Sequence, residues 1–186
     1  MNYYLIANNE SITDITIENL KIKKDDVIIL FNKQMPLKWN IIKIHKNKYL
    51  FLREFENGFH GQDDLIDFNN LYKKLFFISD EYKFKNLKKI DLLLNNNKIS
   101  KDVIFVLSDI DINYKNYSNF RGKIPQTGLL AYIYIKYNFI YDNIYLIGFT
   151  NEYKKKQIWK GHSKEIEQNF YLNELILNKK LIKIDY

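Results

Sequence analysis

The chain has 186 residues, 46% hydrophobic and 27% charged, which supplies a substantial core for one compact domain and excludes a disordered or collagen-like polymer. Cysteine is absent and histidine occurs three times, excluding disulfides, thiolate catalysis and cysteine zinc sites and leaving few ligands for a histidine metal centre. The formal charge of +7, from 29 Lys+Arg against 22 Asp+Glu, favours an anionic partner, although lysine serves equally to keep a Tyr- and Ile-rich surface in solution.

No run approaches the roughly 18 apolar residues of a membrane span. The opening Met1-Asn2-Tyr3-Tyr4 lacks a basic segment and cleavage site, so a cytoplasmic protein is expected, with peripheral attachment to the inner face of a membrane compatible with its charge. No internal repeat, linker or charge block divides residues 1–186, and a single domain is expected.

In chain order, Tyr3-Tyr4-Leu5-Ile6-Ala7 and Val27-Ile28-Ile29-Leu30-Phe31 read as short buried strands that stop at Asn8 and Asn32. A short helix or turn fits residues 11–20. Tyr49-Leu50-Phe51-Leu52 is a third strand, followed by a Gly58/Gly61 loop and a helix over 63–74. Leu75-Phe76-Phe77-Ile78 is the next strand, then come a helix over 80–95 and the strand Val103-Ile104-Phe105-Val106-Leu107. Pro125-Gln126-Thr127-Gly128 opens a helix apolar on every side. A strand over 143–149 follows. A helix over 163–180 has Glu165 and Glu167 early and Lys179-Lys180 late, as the macrodipole favours. Leu181-Ile182-Lys183-Ile184 closes as a strand.

Apolar strands alternating with helices imply an α/β fold, a mostly parallel sheet with helices on both faces. Ligands of such folds bind outside the carboxyl ends of the strands, which directs attention to residues 8–11, Asn32, Arg53, 108–111 and the segment from Thr150 onward.

The first turn, Ala7-Asn8-Asn9-Glu10-Ser11, lacks the glycine spacing of a dinucleotide fingerprint, so a nicotinamide cofactor is not expected. Asn9 is suited to a tight positive-φ turn and Asn8 offers an amide, and with Asn32 the amides could read a base or ribose; capping of a strand end is the plainer alternative. Gln126, Thr127 and Gly128 place free N–H groups and a hydroxyl at a helix N-terminus, which suits a phosphate, or simple capping by Thr127. His162 follows a loop carrying Lys154, Lys155, Lys156 and Lys160, and is a candidate base. His45 and His60 read as surface or capping residues. Asp109-Ile110-Asp111 has the spacing of carboxylates that hold a divalent metal at nucleotide phosphates, a weak signal.

Taken in order, Asn8-x-x-Ser11, Asn32, Gln126-Thr127-Gly128, Tyr145-Leu146-Ile147-Gly148 and Gly161-His162-Ser163-Lys164 resemble the bacterial sialyltransferases of the Campylobacter lipooligosaccharide type. The resemblance places Asn8, Asn9 and Ser11 on the family's first nucleotide-contacting turn, Asn32 on its second asparagine, and Gln126, Thr127 and Gly128 on the turn at the nucleotide phosphate or ribose. It places His162 on the general base and makes Tyr153 the candidate for a phosphate-facing tyrosine. It implies a single Rossmann-like, GT-A-like domain. The implied enzyme is inverting, needs no metal or other cofactor, and transfers an acidic, sialic acid-like sugar from a CMP-sugar to a cell-surface glycan such as a lipooligosaccharide or capsule.

Two other readings stay open: a metal-dependent nucleotide-sugar transferase using Asp109 and Asp111, and a non-catalytic α/β module that binds a nucleotide or protein. The expected partners are a nucleotide-sugar donor and a glycan acceptor. Tyr114-Lys115-Asn116-Tyr117 suits an acceptor glycan or a second subunit equally, so a homo-oligomer is compatible with it. The lysines are dispersed and no aromatic–basic signature occurs, so nucleic acid is not an expected partner.

Overall fold

The computed structural model describes residues 1–10, 12–32, 34–55, 58–59, 71–78, 90–91, 125–149 and 164–184. Among them, seven strands form one sheet. They are β1 (Tyr3–Ile6), β2 (Val27–Phe31), β3 (Lys48–Phe55), β4 (Gly58–Phe59), β5 (Lys74–Ile78), β6 (Ile144–Ile147) and β7 (Leu181–Ile184). The parallel strands run in the order β5-β3-β2-β1-β6-β7, and β4 folds back antiparallel on the end of β3. The chain winds outward from β1 through β2, β3 and β5, then returns to β6 on β1's other side. The direction of winding therefore reverses between β1 and β6, and the carboxyl ends of those strands flank the crevice where such sheets bind ligands.

Period-2 alternation sorts the strand residues onto two cores. Tyr3, Leu5, Ile29, Phe31, Phe51, Phe76 and Leu146 face one side, under α3 (Thr127–Asn138) and α4 (Lys164–Leu177). Tyr4, Ile6, Ile28, Leu30, Leu50, Leu52 and Phe77 face the other, under α1 (Asp14–Glu18) and α2 (Asn40–Ile44) and around Ile90. The expected α/β sheet with helices on both faces is thus observed. Phe51 and Phe76 stack on neighbouring strands, with ring centroids 4.4 Å apart and planes within 13°.

Helix α3 occupies the predicted place, and Leu129, Leu130, Ala131, Tyr132, Ile133 and Ile135 are all buried. Such a segment reads as a strand by composition, but its N-terminal Pro125-Gln126 turn and its burial on every side make it a core helix. Glu174 on α4 is buried beneath it, accepting from the Tyr132 hydroxyl and from Lys136 Nζ at 2.8 Å. Burial, and after it that carboxylate, pushes the Tyr132 hydroxyl far above its ordinary range.

Some expectations are corrected. A helix running to residue 74 does not form: Lys73 N–H donates to Lys48 O at 2.8 Å and Lys74 already pairs with Tyr49, so the parallel ladder of β5 captures these residues. The rest of that segment, most of 80–95 and the strand over 103–107 lie outside the described residues. Lys179 and Lys180 do not complement the dipole of α4, because the helix ends at Leu177 and Asn178 turns the chain, its Oδ1 accepting from Lys180 N–H at 3.1 Å. The 3-10 turn at Met35–Lys38 and α2 are not among the expected elements, although Pro36 at the start of that turn is a recognisable signal. Lys48, 2% exposed, closes α2 by donating from Nζ to the carbonyls of Lys43 and His45, and burial pulls its ammonium down to about 8.

Candidate functional site

The carboxyl ends of β1, β2, β3 and β6 and the N-termini of α3 and α4 meet at one edge of the sheet. Asn8 follows β1 and ties it to the loop after β2: its Nδ2 donates to Phe31 O at 2.7 Å and its Oδ1 accepts from Met35 N–H at 3.0 Å. Asn9, 5% exposed, reaches across the switch point and donates to Gly148 O at 3.1 Å. The expected positive-φ turn at Asn9 is not formed. Among the described residues, those with left-handed backbone are instead Asn32 at φ 40°, Gln34 at φ 56° and Lys21 at φ 48°, with Gly148 at φ 81°. Asn9 turns its side chain to Gly148, the residue after β6, and keeps an ordinary backbone, whereas the chain must reverse sharply after β2.

Asn32 sits at that reversal. Its Oδ1 accepts from Arg53 N–H at 3.1 Å, securing the end of β3, and its Nδ2 donates to Thr127 Oγ1 at 3.3 Å. Thr127 is 7% exposed and is the first residue of α3. The cap position belongs to Gln126, which makes no side-chain cap bond, so Thr127 does not act as the cap and its hydroxyl is turned to Asn32. Two residues 95 positions apart in the chain, both expected at a nucleotide, are therefore in contact.

Gly128 is explained by packing. A Cβ there would lie 2.5 Å from Cε1 of Phe149, the residue that the left-handed Gly148 swings over the start of α3. Phe149 is held by edge contacts to Phe31 at 6.1 Å and Tyr171 at 5.7 Å. The Thr127-Gly128 and Tyr145-to-Gly148 motifs are two sides of this one contact.

Beneath the turn lie two buried charged residues. Arg53, 3% exposed, donates from its guanidinium to Pro125 O at 2.6 Å. Glu167, 6% exposed and in the first turn of α4, accepts from Gln126 N–H at 2.6 Å. Burial pushes the Glu167 carboxyl up to about 7, against the opposing pull of the Gln126 N–H and the Arg53 charge. By its position in the first turn Glu167 reads only as a dipole complement. Its spacing to the buried Phe170, Tyr171 and Glu174 on one stripe of the helix is the signal that places it inside.

The site thus brings together Asn8, Asn9, Asn32, Gln126, Thr127 and Gly128, with Arg53 and Glu167 supporting them. Ser11, Tyr153 and His162 lie outside the described residues, as do Asp109 and Asp111. Among the described residues there is no group of three His, Asp or Glu side chains arranged to hold a metal ion. No described helix is long and apolar enough to cross a membrane.

No model of a known protein family matches the chain, and no curated protein matches it. Among solved structures it is similar to the sialyltransferase CstII from Campylobacter jejuni in complex with a substrate analogue, cytidine-5'-monophosphate. The identity is 15%, the match covers 98% of this chain and 79% of that one, and the TM-score is 0.48. This is a remote likeness.

Proposed function

We propose that the chain is a glycosyltransferase that binds a CMP-activated acidic sugar at the carboxyl edge of its sheet and transfers the sugar to a cell-surface glycan. The observation that carries this reading is the Asn32–Thr127 contact. It turns a scattered set of short motifs into one constellation at the place where an open parallel sheet binds its ligand.

Several features support a nucleotide phosphate there. The Thr127 hydroxyl accepts from Asn32, which leaves its own proton to donate to a ligand oxygen. The first N–H groups of α3 and its positive dipole end favour negative charge beside it. Arg53 adds a buried cation at the same turn. Asn8, spanning β1 and the β2 loop, keeps a second amide hydrogen and a second lone pair for a base or ribose.

In the transfer step, His162 takes the proton of the acceptor hydroxyl, the freed oxygen attacks the anomeric carbon, and the carbon–phosphate-oxygen bond breaks with its electron pair passing to CMP. Tyr153 and the start of α3 receive the charge that develops on the leaving phosphate. Attack opposite the leaving group inverts the anomeric centre, and no metal is assigned a role. The acceptor is a glycan presented at the inner face of a membrane.

The test is transfer from CMP-sialic acid to a lipooligosaccharide-type acceptor. Wild-type protein turns over, and His162→Ala loses about 10²–10⁴ in kcat with donor affinity nearly intact. Absence of turnover with CMP binding retained would leave a nucleotide-binding module.

A further inference from the structure

The two buried charged residues hold one dipeptide from opposite sides. Arg53 caps the carbonyl of Pro125 at 2.6 Å, and Glu167 caps the N–H of Gln126 at 2.6 Å. Thr127 follows directly, so the position of its hydroxyl depends on both clamps.

A carboxyl is an unexpected clamp at a helix start that is to receive an anion. Ionised, Glu167 sets a negative charge beside the incoming phosphate. As a neutral acid it keeps the same hydrogen bond, because its carbonyl oxygen still accepts from Gln126 N–H.

We propose that Glu167 is a proton-linked positioning residue, which clamps the start of α3 as a neutral acid when the nucleotide phosphate is bound, so that nucleotide binding weakens as the carboxyl ionises. The proton comes from solvent and rests on the carboxyl oxygen not engaged by Gln126; no other bond changes. Burial favours this neutral form and pushes the group up to about 7. Among the described residues the charged group facing it is Arg53 of β3, which draws it the other way and limits how far it rises. The inference rests on the nucleotide reading given above and deepens it, by making the proton a regulator of that site.

The test compares CMP affinity of wild type and Glu167→Gln by calorimetry from pH about 6 to 8.5. Glutamine keeps an oxygen for Gln126 N–H and carries no charge. The ratio of the two affinities isolates Glu167, since ionisation of the CMP phosphate is common to both proteins. Wild type is expected to lose affinity relative to Glu167→Gln by up to about tenfold per pH unit above neutrality. Should the variant fail to fold, wild type titrated with CMP in two buffers of different ionisation enthalpy reports the proton directly, with close to one taken up at pH about 8. Parallel affinity profiles, or no uptake beyond that of CMP itself, overturn the proposal and leave the nucleotide reading standing. No binding of CMP to either protein at any pH overturns that reading as well.

Discussion

Asn32 donates from Nδ2 to the hydroxyl of Thr127 at 3.3 Å, joining the end of β2 to the first residue of α3. The same amide accepts from Arg53 N–H at 3.1 Å from a backbone held at φ 40°. One side chain thus registers two strand ends and a helix start.

Substitutions at Asn32 separate these roles. Asn32→Asp keeps an acceptor for Arg53 N–H and tolerates the left-handed backbone, but it faces Thr127 with an acceptor and adds negative charge. CMP affinity falls tenfold or more, about 1.4 kcal/mol, while the urea midpoint moves little. Asn32→Ala loses both bonds and strains the backbone, and stability falls by about 2 kcal/mol in urea unfolding.

Gly128→Ala drives a methyl group into Phe149, whose ring is pinned by Phe31 and Tyr171. The cost is about 1–3 kcal/mol of stability, with weakened nucleotide binding as the start of α3 shifts. Adding Phe149→Leu recovers part of the loss, and a double-mutant cycle in urea measures the coupling.

The Glu167 carboxyl also makes folding pH-dependent without ligand. Below its ordinary value of 4.5 both folded and unfolded chains hold the proton; between 4.5 and about 7 only the folded chain does; above that neither does. Its contribution to stability is full at the acid side of this window and is lost as pH rises through about 7. Unfolding in urea across the window is expected to show wild type losing on the order of 3 kcal/mol relative to Glu167→Gln.

Glu174 provides a control away from the site. It is buried, with Tyr132 and Lys136 both donating to it. Glu174→Ala leaves these groups uncompensated and costs about 3 kcal/mol in urea unfolding, while CMP affinity of the folded protein stays within about twofold.

Much of the architecture was legible because apolar runs such as Val27-Ile28-Ile29-Leu30-Phe31 bury both faces and stop at polar residues. The strand-end rule then led from Asn32 and the Gln126-Thr127-Gly128 turn to a common place without showing that they touch. What the sequence could not convey is set by distant pairings. Lys74 reads as the end of a helix until Tyr49 claims it for the sheet. Arg53 reaches Pro125 across 72 positions, and Glu167 reaches Gln126 across 41. Local periodicity does not encode such partners. The residue type of Asn9 favours a left-handed backbone, but its bond to Gly148 satisfies the side chain without one.

We propose that the edge formed by Asn8, Asn32 and Thr127 binds a cytidine nucleotide without metal. Calorimetric titration of CMP into chelator-treated wild type and Asn32→Asp, with UDP and GDP as comparisons, tests it most directly. The prediction is saturable binding of CMP by wild type, at least tenfold weaker in Asn32→Asp and unchanged by added Mg²⁺. Silence toward CMP, or binding of UDP or GDP that appears only with Mg²⁺, would contradict it.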